Sequence, residues 1–211
     1  MDFAIFVFDD MTALDAIGPM EVVALLPDAE LKIVGQARGP VRAGKGACSL
    51  GIVADYAMDE ISSADVLIVP GGMGTRALIK DAAVTGWIRE LHPTTTWTTS
   101  VCTGALLLAA AGVLKDVPST THWAAMDILK KLGAVPTDER VVEQGKIITA
   151  AGVSSGIDMG LRLAAKIAGD EVAQAIQLMI EYDPEPPFDA GSAAKAPPGV
   201  RALAGELFGV R

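Results

Sequence analysis

The chain has 211 residues, 51% hydrophobic and 20% charged, enough apolar material for one α/β domain and too much for a disordered polymer. Its formal net charge of −9 opposes binding to nucleic acid or to an anionic membrane. Two cysteines, Cys48 and Cys102, make no disulfide framework and suit a reducing cytoplasm, and two histidines, His92 and His122, are too few for a histidine-rich metal site.

Phe3 to Phe8 is continuously apolar, as a parallel strand covered on both faces should be. The segment lacks a basic leader and meets Asp9-Asp10 at once, so it reads as a first strand rather than an export signal. A loop is expected from Asp9 to Ile17, followed by a helix opened by Gly18-Pro19 and stopped at Pro27. Leu31 to Val34 is a second strand, and the glycine-rich Arg38 to Ile52 suggests a hairpin outside the main crossover pattern. Cys48, in that hairpin, reads as a partly buried structural thiol. Val66 to Val69 is a strand followed by Pro70-Gly71-Gly72-Met73-Gly74, a loop whose backbone N–H groups can face an anion. Neither a dinucleotide fingerprint nor a Walker lysine is present.

One or two short helices fill Thr75 to Leu91, and the threonine-rich run from Thr94 to Thr99 predicts the next strand. Beyond it, Ser100-Val101-Cys102-Thr103-Gly104 is a small-residue bend, and Ala105 to Ala111 is a helix stopped by Gly112. Strand, sharp turn and helix make a nucleophile elbow with Cys102 at its apex. The positive end of the following helix is expected to lower the Cys102 pKa. Further helices are predicted over Ala124 to Leu132, Ile157 to Ala168 and Glu171 to Tyr182, and two short strands meet at Gln144-Gly145. From about Asp183 a proline-rich tail runs extended before a last helix from Val200 to Phe208. The alternation of strands and helices predicts a single α/β domain spanning 1–211, a three-layer sandwich with a mostly parallel, flavodoxin-like central sheet.

Loops at the carboxyl edge of such a sheet converge on one crevice. The site expected there joins Cys102, Asp15 from the first loop, and an oxyanion cradle from the N–H groups of Thr103 and Gly72. Asp15, flanked by Leu14 and Ala16, is favoured over Asp9 and Asp10 because a desolvated acid keeps its proton near neutral pH. An N-cap role for Asp15 fits the bare sequence equally well. His122, within Thr-Thr-His-Trp, is the only other base in view, and a structural role suits it better.

The strings SVCTGALLLAAAG, TTHWAAMDILKKLGA, ERVVEQGKIITAAGVSSGID and QLMIEYDPEPPFDAGS resemble the ThiJ/PfpI superfamily of class I glutamine-amidotransferase-like proteins, and within it the bacterial isocyanide hydratases. Amidases and proteases of that scaffold carry a histidine beside the elbow cysteine, where this chain has Thr103. The resemblance implies a homodimer without cofactor or metal, converting a small-molecule isocyanide and water to an N-substituted formamide through a thioimidate. It implies Cys102 as nucleophile, Asp15 as acid, Thr103 and Gly72 beside them, and Trp123, Met73 and Val153 around the substituent. Two rival readings use the same motifs: a ligand- or redox-sensing domain like those of AraC-type regulators, and a glyoxalase- or deglycase-like enzyme. The regulator reading is the weaker, because the sequence ends without a DNA-binding helix-turn-helix and is acidic.

Overall fold

A computed structural model of the protein describes residues 1–44 and 49–209. Cys48 lies outside them. The elements in chain order begin with β1 (Asp2–Phe6), α1 (Ala13–Val23), β2 (Glu30–Gly35), β3 (Gly39–Ala43), β4 (Leu50–Ala54), β5 (Tyr56–Ala57) and β6 (Val66–Val69). Next come α2 (Thr75–Leu78), α3 (Ala82–Leu91), β7 (Trp97–Val101), α4 (Gly104–Ala110), β8 (Pro118–Ser119), α5 (Met126–Lys131) and β9 (Val135–Pro136). β10 (Val141–Gln144), β11 (Ile147–Ala150), α6 (Ser155–Ala168), α7 (Asp170–Met179) and α8 (Pro198–Phe208) complete the chain.

Seven strands form the central sheet in the order β10-β11-β7-β6-β1-β2-β5, parallel throughout except for the β10–β11 pair. β3 and β4 form the separate antiparallel hairpin that the glycine-rich segment suggested. One helical layer joins α1, α6 and α7, while α2, α3 and α5 pack around α4 in the other. This is the three-layer arrangement expected from the alternating pattern. β1 and β6 are apolar and buried nearly throughout, because helices cover both faces of the sheet. α4 is apolar all round for the same reason: it is buried from Gly104 to Ala109. Among the described residues, no helix is long and apolar enough to cross a membrane.

β1, β6 and β7 are neighbours at the middle of this sheet. Their carboxyl-end loops therefore lie side by side, and hydrogen bonds join the first two. Thr12 N–H donates to the Gly71 carbonyl at 2.9 Å, and Gly74 N–H donates to the Asp10 carbonyl at 3.2 Å. Crossing order thus decides which loops share the crevice.

Several boundaries differ from expectation, and three of them matter most. α1 begins at Ala13 and carries Gly18 and Pro19 inside it, so Asp15 stands in a helical first turn rather than a loop. Pro19 cannot return an N–H to the carbonyl of Asp15, which reads locally as a start signal. Packing against α6 overrides it: Gly18 lies against Ile157, and Gly160 of α6 lies against Val22. β7 begins at Trp97 because Thr94 and Thr95 turn their hydroxyls to the carbonyls of Leu91 and His92, both at 2.9 Å, and leave the ladder. α7 stops at Met179, with Glu181 in the left-handed region at φ 48°.

The α1–α6 contact supports the turn that carries Asp15, and a side chain at Gly160 has no room, since a Cβ there would sit 3.0 Å from that of Val22. Gly160→Leu is expected to cost about 1–3 kcal/mol of stability, read as a lowered urea midpoint by circular dichroism.

Candidate active site

The elbow is formed by the last residue of β7, Val101, by Cys102 and Thr103, and by the start of α4 at Gly104. Cys102 has φ 56°, a left-handed conformation that costs a residue with a Cβ about 1–3 kcal/mol. Its neighbours hold it there. Cys102 N–H donates to the carbonyls of Ala150 and Ala151 at 3.0 and 2.8 Å, and the Thr121 hydroxyl donates to the Cys102 carbonyl at 2.8 Å. The sulfur is therefore aimed by β11 and by the chain after β8, not by the turn alone.

Thr103 ties the elbow to the glycine loop. Its Oγ1 accepts from Gly72 N–H at 2.8 Å and donates to the Gly72 carbonyl at 3.1 Å. Thr75 Oγ1, which donates to the same carbonyl at 2.7 Å, also reaches Thr103 Oγ1 at 3.2 Å. Gly72 has φ 137°, open to glycine alone, and a Cβ on Gly71 would collide with the Thr103 backbone. The loop can press this closely on the elbow only because it lacks side chains. This geometry corrects the expected cradle, because the Gly72 N–H is already spent on Thr103. The N–H groups that favour charge on the sulfur are those of Thr103 and Val153. Val153 enters from the small-residue loop before α6; the resemblance put it beside the substituent, and the part played by its N–H had no signal in the sequence.

Asp15 is wholly buried. Its Oδ2 accepts from Gly71 N–H at 3.0 Å, whereas Oδ1 has no hydrogen-bond partner among the described residues. The Cys102 thiol is close enough that each group shifts the other's titration. Burial is the main cause that raises Asp15 from the ordinary 3.8 to about 7, against the lowering effect of Gly71 and Cys102. Burial also pushes the Cys102 thiol up to about 12, and negative charge on Asp15 adds to that effect. The sequence expectation of a lowered thiol pKa is overturned: two N–H groups do not offset the loss of solvation at a cysteine only 5% exposed. Between about pH 7 and 12 the pair holds a single proton.

A cavity of about 670 Å³ opens onto Cys102, with Asp15 buried behind the thiol and outside the cavity wall. Cys102, Thr103, Gly72 and Thr12 line its reactive end, and Met73, Trp123 and Val153 line its walls, as the resemblance implied. Arg76 and two α8 residues, Ala204 and Leu207, also line it and had no signal in the sequence. His122 reaches the cavity wall too, but its Nδ1 accepts from Ala124 N–H at 3.3 Å, and burial lowers its pKa. A second cavity of about 470 Å³ shares His122, Trp123 and Val153 with the first and reaches Gly191 to Ala194 of the tail. Asp9 and Asp10 are exposed, and Asp9 accepts from Arg42 N–H at 2.7 Å, away from the sulfur. No group of His, Cys, Asp and Glu fit to hold a metal occurs among the described residues.

A thiol on a strained strand-to-helix turn, paired with a buried carboxyl group and open to a cavity, defines the chain as an elbow-cysteine protein of the α/β class. More narrowly, the chain belongs to the DJ-1/PfpI family, whose model matches residues 1–166. It is 39% identical over 200 residues to the isonitrile hydratase of Pseudomonas putida, covering 95% of this chain and 86% of that one. A crystal structure of a ThiJ/PfpI family protein from Pseudomonas syringae superposes with a TM-score of 0.93 at 38% identity, over 99% of this chain and 86% of that one. The HTH-type transcriptional regulator CdhR of Pseudomonas aeruginosa is 31% identical over 139 residues, which span 64% of this chain and 40% of the regulator.

An acid held at a raised pKa is a stability statement with a definite sign. Asp15 binds its proton more tightly folded than unfolded, so its burial costs nothing below about pH 4 and its full penalty above about pH 7. The shift from 3.8 to about 7 converts to roughly 4 kcal/mol. Asp15→Asn should therefore gain stability over the wild type by up to that amount as pH rises from 4 to 8, measured by urea unfolding at each pH.

Proposed function

We propose that the chain is an isocyanide hydratase, converting R–N≡C and water to an N-substituted formamide, with Cys102 as nucleophile and Asp15 as the shuttling acid and base. The observation that carries this reading is the buried carboxyl group of Asp15 beside the Cys102 thiol, with that thiol lining a cavity. Similarity to an isonitrile hydratase along 95% of the chain supports the choice of substrate class.

The reaction begins with one proton on the pair. Asp15 carboxylate takes it from the Cys102 sulfur as the sulfur attacks the terminal carbon, then passes it to that carbon. The product is the thioimidate Cys–S–CH=N–R. Water adds to the same carbon while Asp15 accepts one of its protons and hands it to the imine nitrogen. The C–S bond then breaks, Asp15 takes the remaining hydroxyl proton as the carbon keeps the oxygen as a formamide, and passes that proton to the departing sulfur. The sum is R–N≡C plus H₂O giving R–NH–CHO, with nothing oxidised or reduced. The N–H groups of Thr103 and Val153 stabilise negative charge on the sulfur as it forms and leaves. Thr103 acts through its backbone and by clamping the Gly72 loop with its hydroxyl. Gly72 shapes the cavity floor. A metal or organic cofactor has no step to perform in this scheme. His122, with Nδ1 committed to Ala124, supports a packing role rather than the base of an amidase pair.

We take residues 1–211 as one α/β unit and the working assembly as a homodimer. Leu178, Met179 and Phe188, all more than 70% exposed, supply apolar surface for such a contact. Sedimentation velocity should give twice the chain mass; a monomer at micromolar concentration would remove the dimer from the scheme.

Turnover of a simple alkyl isocyanide, followed as formamide by mass spectrometry, is the direct test. Cys102→Ala is expected to lose about 10³-fold or more in kcat/KM, and Asp15→Asn about 10²–10⁴-fold. An inactive wild type, or a Cys102→Ala protein of undiminished rate, would count decisively against the mechanism. The active form is the singly protonated pair, so kcat/KM should rise with pH through about 7 and then stay level to pH 9.

A further inference from the structure

We infer that Ala204 and Leu207 of the C-terminal helix α8 form the wall that selects the substituent R, so that this chain's own tail sets which isocyanides reach Cys102. The substrate class rests on the hydratase reading above, whereas the placement of α8 does not. Both residues line the cavity that holds Cys102, facing it together with Met73, Trp123 and Val153. Ala204 and Leu207 are three apart and so share a face of the helix. The wall they complete is apolar, and Arg76 is the one charged side chain lining the cavity among the described residues.

Two features distinguish α8 from the rest of the cavity wall. Among the described residues, no hydrogen bond or ion pair joins residues 184–209 to the chain before them. The helix terminates itself instead, with Pro197 at its N-cap, Pro198 in its first turn and Gly209 left-handed at its end. What places it against the domain is the cavity wall that Ala204 and Leu207 line together with the elbow and the glycine loop.

Leu207 is 65% exposed, unlike the buried apolar core beneath it. An apolar R group in the cavity would cover that leucine and gain contact from it, and a polar group would not. Ala204, half-buried, leaves its space to the substrate because it has only a methyl group. The pair therefore favours apolar substituents larger than methyl, Leu207 by contact and Ala204 by vacancy of volume. The rim of the neighbouring cavity is also drawn from the tail, at Gly191 to Ala194.

The test measures kcat/KM for tert-butyl and methyl isocyanide and compares their ratio across variants of the full chain. Ala204→Phe and Leu207→Ser should each lower the tert-butyl to methyl ratio by roughly tenfold, the scale of discrimination that a few methylene contacts supply. Leu203→Ser, on the same helix but not lining the cavity, should leave the ratio where it is. Circular dichroism checks folding, and Leu207→Ser, at an exposed position, keeps the test alive if Ala204→Phe disturbs the core. A second readout is independent of turnover: the rate at which iodoacetamide and N-phenylmaleimide modify Cys102, followed on its own peptide by mass spectrometry. Ala204→Phe should slow the bulky maleimide several-fold more than iodoacetamide. If no isocyanide is turned over but the alkylation ratio shifts as stated, the hydratase reading fails and the α8 wall stands. If turnover is normal and both ratios are unchanged in both variants, the α8 wall is overturned and the hydratase reading stands. A ratio that moves equally in Leu203→Ser overturns the assignment to these two residues.

Discussion

One proton shared between a buried carboxyl group and a buried thiol is the constraint on which the rest of this site depends. Removing both groups from water makes two negative charges there prohibitively costly. The result is an Asp15 raised to about 7 and a Cys102 raised to about 12, so neutral pH leaves a single charge on the pair. The low-solvation environment that makes the thiol a poor acid on its own also makes Asp15 a stronger base than a solvated carboxylate, while the shared proton rests on the sulfur until the sulfur attacks. Reactivity in this arrangement belongs to the pair and to neither residue alone.

Holding that pair together requires several parts of the fold at once. Asp15 sits in the first turn of α1, which is fixed against α6 by contact between Gly18 and Ile157 and between Gly160 and Val22. Cys102 sits in a left-handed conformation that no local preference favours, fixed by the carbonyls of Ala150 and Ala151 and the hydroxyl of Thr121. Between them, the glycine loop after β6 donates Gly71 N–H to the acid and Gly72 N–H to Thr103. Those two adjacent amides tie α1 to the elbow. A side chain at either glycine would separate the acid from the thiol before it altered either one chemically.

Much of this was legible in the chain. The apolar runs marked β1 and β6, small residues marked the elbow, and Pro and Gly marked most helix ends. Asp15 stood out because Leu14 and Ala16 flank it, and burial did raise its pKa. Where the reading missed, long-range packing outweighed a local signal. Gly18-Pro19 looked like the start of a helix and instead lies inside one, since α6 accepts the glycine closely. The elbow's helix N-terminus suggested a lowered thiol pKa, yet desolvation outweighs the two nearby amides. Gly72 N–H was expected to face the cavity and faces Thr103 instead. Leu207 and Ala204 gave no local sign of their place, because a tail's landing point depends on the surface it crosses.

What the sequence determined by itself is the kind of architecture and the reactive groups. Hydrophobic period and turn residues are properties of neighbours along the chain, and they suffice to specify strand, elbow and helix. Which groups meet is another matter, decided only when β1, β6 and β7 lie side by side and three loops are forced into one crevice. Proton affinity, cavity shape and the wall supplied by α8 follow from that meeting. Solvation and contact depend on distance through space, and distance along the chain does not record it.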